Sequence, residues 1–312
     1  MENLILSVNV VIPLFLMMAA GYLLKRVGLF DKHTLNKMNT IVFNFFFAIL
    51  MFYNTYTSSL SEAFNLGAIA FGVSTVLIIF AVGMIFVPRI IKDNPSRGVI
   101  IQAIYRSNFF LFGPAVVHHI FSDGSGGVVN IMVAIIVPLY NVLAVIIFET
   151  FRGGKVQAKK ILLGIAKNPF VISSALGIIF QLLGVRLYPA LQRAVFDVSR
   201  VATPLALVVL GGFFEFSDTK KWFKRAFTTT AVKLFVTPVI FVPIAILLGF
   251  RGPALASIFV MYGAPVAVSS FTMAVAMEGN AELAGQIMVF SSILGILSIF
   301  LGVFILKSFA LI

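Results

Sequence analysis

Long apolar runs of about twenty residues alternate along this chain with short polar connections that carry most of its charge. A helix needs ~20 apolar residues to cross a hydrocarbon core of ~30 Å. Ten segments meet that length: 4–24, 35–53, 66–87, 98–121, 128–148, 161–183, 194–213, 226–248, 253–276 and 283–306. No connection between them is long enough to fold as a soluble domain. The pattern predicts an all-α membrane protein with ten transmembrane helices. The first run lacks a basic leader and a small-residue cleavage site, so it reads as a retained helix.

Composition sharpens this picture. Apolar residues make up 60% and charged residues 11% of the 312 positions, against roughly 25% charged in an ordinary soluble domain. The partner this implies is the lipid bilayer. The net charge of +12 does not indicate nucleic acid, because the basic residues sit in short loops between apolar runs. There they set orientation. Sixteen of them follow spans 1, 3, 5 and 7 (among them Lys25, Arg89, Arg152 and Lys220), and five lie on the opposite side. The bias places the N- and C-termini outside the cell membrane. Cysteine is absent, which removes disulfides, thiolate metal sites and a thiol nucleophile.

The longest basic connection, 152–160, divides the chain into halves of similar length, 1–151 and 161–312. Five spans per half is an odd number, so the second half enters the membrane from the opposite side. Pro13, Gly21 and Gly28 return as Pro169, Gly177 and Gly184, all at an offset of 156. Together these features predict two inverted five-helix repeats, a common plan of secondary transporters.

Two spans carry helix-breaking residues near their middle. Gly113 and Pro114 lie in the fourth, Gly263 and Pro265 in the ninth. Proline removes a helix donor and clashes with the preceding turn. Unwound backbone at membrane depth is tolerated only where protein or a watery cavity covers it. Beyond each break a half-helix would begin with its N-terminus at the midplane, where its free N–H groups favour an anion. A simple kink is the alternative for either span alone; the matched pair points to a transport site.

Polar side chains at depth add to this. Arg106 lies ~13 Å and Asn108 ~16 Å beyond Arg97, and Lys233 ~12 Å beyond Arg225, at 1.5 Å per residue. A cation in a span costs ~2.5–3.5 kcal/mol on insertion scales. Arg106 and Lys233 therefore either face an interior pathway or snorkel back to the headgroups. Asn44 and Asn141 fit helix–helix hydrogen bonds, and Asn141 also lies within reach of the cavity. His118 and His119 read as interfacial. All eleven acids fall in loops or at span ends. The charge within the spans is positive, which favours an anionic substrate such as a carboxylate. No catalytic carboxylate pair, metal motif or activated nucleophile stands at depth, so an enzyme is not expected, nor is any metal or cofactor.

The run from Arg106-Ser107-Asn108 to Gly113-Pro114 resembles the fourth helix of the auxin efflux carrier family, bacterial type. Ala264-Pro265-Val266-Ala267-Val268-Ser269-Ser270, with Ala281 to Gln286, resembles its ninth and tenth. Pro138 to Ala144 resembles its fifth. The resemblance covers the whole chain. It implies a crossover-helix fold similar to bile acid sodium symporters, with a scaffold and a transport domain moving as an elevator. It also implies permeation or efflux of organic anions; bacterial members include proteins assigned as malate permeases. Asn108 matches the motif's crossover asparagine. Two positions depart from the family: Gly113 and Pro114 are adjacent where one residue usually separates them, and Ala48 replaces a proline of the second helix, implying a less interrupted helix there.

The expectation is thus a secondary carrier for small organic anions working by alternating access. Its substrate-binding residues would be Asn108, Gly113, Pro114, Gly263, Pro265, Ser269, Ser270, Arg106, Lys233 and Asn141. A sodium- or proton-coupled symporter on the same fold is the alternative. A homodimer is compatible with either.

Overall fold

The computed structural model describes residues 2–57, 65–121, 127–152 and 158–312. Residues 153–157, most of the expected linker, lie outside that set. The described chain is helical along its long apolar runs, apart from short breaks in three of them. Among the described residues, seven helices are each long and apolar enough to cross a membrane, and two bent helix pairs bring the number to nine.

In chain order, α1 spans Glu2–Arg26. The second run comprises α2 (Lys32–Ile41), a π turn (Val42–Phe46) and α3 (Phe47–Tyr56). It is continuous, as Ala48 implied, but widened by one π turn. Leu66–Ile90 forms α4. The fourth run divides into α5 (Asn94–Tyr105) and α6 (Phe109–Ile120), and α7 is Val128–Phe151. The sixth run, expected as one helix, is α8 (Ala158–Lys167) and α9 (Pro169–Leu182), bent by 60°. Asn168 causes the bend: its side chain accepts from Phe170 and Val171 N–H, starting a new helix with Pro169 at its first position. Then follow α10 (Pro189–Phe213), α11 (Phe216–Ala231), a second π turn (Val232–Val236) and α12 (Thr237–Leu247). The ninth run is α13 (Gly252–Gly263) and α14 (Val268–Ala276), bent by 42°. Last comes α15 (Ala281–Ser308).

The helices sort into two packed groups. In one, α1 lies along α10 and α9 along α3, with α10 also against α3. In the other, α4 to α7 and α11 to α15 surround the two interrupted runs. The first group is closed by glycine. A Cβ on Gly21 would sit 1.9 Å from the Val208 carbonyl oxygen, and one on Gly211 1.9 Å from that of Met18. Across the other seam, a Cβ on Gly177 would sit 2.0 Å from Thr55 Oγ1 and 2.7 Å from the Phe52 carbonyl oxygen. Only small residues let membrane helices approach this closely. Gly28 and Gly184 both take positive φ, +83° and +64°. Each ends its helix in the same way. Gly28 N–H donates to Lys25 O and Leu29 N–H to Leu24 O; Gly184 N–H donates to Gln181 O and Val185 N–H to Phe180 O.

Polar contacts between loops fall into two sets. Lys25–Glu215, Arg225–Asp93, Lys221–Glu282 and Arg152–Glu278 join segments on the side richer in positive charge. Leu187 N–H to Tyr56 OH and Gly252 N–H to Leu311 O join segments at the other end. Partial burial raises the pKa of Asp93. Hydrogen bonding from Ser96 and the Arg225 guanidinium outweigh that, and hold its carboxyl below the usual range.

Candidate functional site

The two interrupted runs meet. Asn108 N–H donates to the Pro265 carbonyl across the gap, at 2.7 Å. One side of the crossing is therefore residues 106–108 and the other residues 264–267, each an extended stretch between two half-helices.

This corrects one expectation. The fourth run does not open at Gly113-Pro114; it opens at Arg106-Ser107-Asn108, and Pro114 lies inside α6. Proline at that position costs the bond to the Phe110 carbonyl, but the helix continues because Phe109, Phe112, Val116 and Val117 are packed on both sides of it. Gly113 is pressed against Phe109 and Val129. The ninth run opens over residues 264–267, directly after Gly263 and around Pro265, as expected.

Arg106 is 2% exposed and does not snorkel. Its guanidinium donates to Asn141 Oδ1 at 2.8 Å, to Ser269 Oγ at 2.6 Å and to Met273 sulfur at 3.0 Å. The bridge runs from the end of α5 to α7 and into the first turn of α14. Asn141 in turn donates to Met51 sulfur at 3.2 Å, which reaches α3 of the other group. Among the described residues, the buried charged side chains are Arg106 and Lys233, both cations. The first N–H groups of α6 and α14 have no acceptor within their own helices and present partial positive charge at the crossing.

A cavity of about 30 Å³ opens beside these groups, lined by Arg106, Asn108, Ser269, Tyr140, Met51 and Thr203 among others. That is room for about two water molecules, so the site is closed around its polar groups in this conformation. Asn108 Nδ2 and Ser270 Oγ are buried without a hydrogen-bond partner, which leaves hydrogen-bonding capacity here unused. Met51 on α3 and Thr203 on α10 come from the first helix group, so the cavity lies between the two groups. Sequence reasoning missed both; an apolar methionine and a lone threonine gave no signal.

The structure brings together Arg106, Asn108, Asn141, Pro265 and Ser269; Ser270, the next residue of α14, is buried but does not line the cavity. Gly263 ends α13 against Phe259 and Ser298. Gly113, Pro114 and Lys233 do not line the cavity. Lys233 is wholly buried in the second π turn, with its ammonium 3.4 Å from the Met261 carbonyl. Asn44 bonds only locally, to the Thr40 carbonyl, while His118 and His119 are exposed. Among the described residues no cluster of three metal-ligating side chains occurs.

Residues 6–303 match the family model described as membrane transport protein. No curated protein gives a significant match.

Proposed function

Because the chain belongs to the membrane transport protein family, the auxin efflux carriers, and is a multi-pass membrane protein, we propose that it carries small organic anions such as carboxylates by alternating access. The observation that carries this reading is the buried Arg106. It is held by Asn141 and Ser269 between two half-helix N-termini, with no acid among the buried described side chains. A carboxylate entering the crossing would meet a guanidinium, the Asn108 amide, the Ser270 hydroxyl and two helix dipoles of favourable sign.

The same reading gives ten crossings in two inverted repeats, residues 1–151 and 161–312, joined by the basic 152–160 segment. The paired helix ends at Gly28 and Gly184 and the reciprocal seams at Gly21 and Gly177, both at the offset of 156, support it. So do the two broken runs. The group containing α1, α3, α9 and α10 would be the scaffold, and the group around the crossing would slide against it as an elevator. The positive loops would face the cytoplasm and both termini the exterior of the plasma membrane.

The test is uptake of a panel of small mono- and dicarboxylates into proteoliposomes, with Asn108→Ala as the decisive variant. It removes the unused amide and keeps the backbone bridge to Pro265. Flux is expected to fall to background with unchanged chromatographic behaviour. Wild-type flux in that variant, or no uptake of any carboxylate by the wild type, sinks the assignment.

A further inference from the structure

The second buried cation has a separate role. Proline at 265 has no N–H, so the acceptor four residues earlier, the carbonyl of Met261, loses its helical donor. That carbonyl lies in the last turn of α13, at the negative end of the helix. The group that reaches it is the Lys233 ammonium, at 3.4 Å. Lys233 is delivered there by the π turn Val232–Val236. That turn is propped by Thr237 Oγ1 donating to the Val232 carbonyl and by Ser298 Oγ donating to that of Leu234. Nothing anionic among the buried described residues balances the ammonium. Thr230, three residues earlier in the chain and fully buried, has a hydroxyl without a partner.

An uncharged donor would satisfy one carbonyl. A positive charge satisfies the whole end of a helix whose last carbonyls have no donors. Oxygen atoms at a helix C-terminus are also what a discontinuous membrane helix uses to hold an alkali cation. We propose that Lys233 is a tethered cation standing where a free monovalent metal ion would otherwise bind, at the carbonyl end of α13. The carrier then holds its ninth run broken without sodium. This rests on the reading of the crossing as the transport site, but its test needs no substrate.

Purified protein is melted in choline chloride, sodium chloride, potassium chloride and methylammonium chloride at equal ionic strength. The wild type is expected to give one Tm in all four. Lys233→Met is expected to melt ~5 °C lower in choline and to recover in a saturable way with sodium, potassium or methylammonium. Lys233→Gln, which donates without charge, is expected to show the same deficit. A Pro265→Ala background, which returns an N–H to the Met261 carbonyl, is expected to shrink the Lys233→Met deficit. The proposal is overturned by a cation-specific rise in the wild type, by wild-type melting of Lys233→Gln in choline, or by a Lys233→Met deficit that no cation repairs. Failure of Lys233→Met to fold in every salt counts as that last result. Uptake that fails while these melts behave as expected would refute the transport reading alone.

Discussion

The two breaks reach the same place by different chemistry. Between α13 and α14 the cause is local: Pro265 withholds a donor, and the chain stays extended through Ala267. Between α5 and α6 no proline stands in the gap. Arg106 takes an extended backbone and swings its side chain across to Asn141 and Ser269, while Asn108 N–H leaves its own helix for the Pro265 carbonyl. One break is written into the backbone, and the other is held open by its neighbours. A break held by long-range bonds is the one whose geometry a bound anion would alter, since under the proposed function its arginine is both strut and binding group.

The largest effect follows from removing that strut. Arg106→Met keeps the volume and deletes the charge. Each charge-assisted hydrogen bond lost is worth ~1.5–3 kcal/mol, so carboxylate uptake is expected to drop by at least ~10–100-fold. Tm is expected to fall by only a few degrees, because relief of a buried charge without an anionic partner offsets the bonds lost to Asn141 and Ser269. A variant that melts far lower than wild type would make Arg106 structural only. Pro265→Ala comes next. A restored donor favours a straighter ninth run, and uptake is expected to fall by about 10-fold, one lost interaction of ~1.4 kcal/mol; unchanged flux would show that the second break needs no proline. Pro114→Ala, inside a helix that already tolerates the missing bond, is expected to change uptake by less than about 3-fold. A loss as large as that of Pro265→Ala would erase the distinction between the two prolines.

The smallest difference lies at the outer ends of the broken runs. Asp93 caps α5 and pairs with Arg225, whereas Arg251 at the start of α13 makes no side-chain cap. The Asp93 pKa is depressed in the folded protein, so its contribution is complete above the ordinary value of 3.8 and disappears as pH falls through the lower folded value. A slight fall in Tm at that acid end is expected, and Asp93→Asn should flatten it. An unchanged acid slope in that variant would remove Asp93 from the account.

Much of this was legible in the sequence because lipid allows few solutions. Apolar runs of the right length mark helices, and a proline at depth marks a break, as Pro265 does. Asn168-Pro169 also carries its bend, through a capping side chain followed by a first-turn proline. The position of the other break was not legible. Gly113-Pro114 looks like the stronger breaker, but local propensity yielded to the packing of α6 and to bonds from residues 35 and more positions away. The π turns had no local signature either: Val42–Phe46 is ordinary apolar sequence, and Val232–Val236 differs only by Lys233. Arg106 and Asn108 stand out by their depth and by the family motif that contains them, while Met51 and Thr203 depend on a fold no single segment encodes.

The glycine seams carry a mechanical corollary. With the Gly21 and Gly211 backbones lodged against Val208 and Met18, and Gly177 against Thr55, α1 with α10 and α9 with α3 have no side-chain layer in which to slip. These four helices form a plate that travels as one piece or not at all. Since the chain has no native cysteine, spin labels placed across either seam should report one unchanging separation throughout a transport cycle. Labels spanning Thr203 and Ser107, on opposite walls of the cavity, would register whatever displacement occurs.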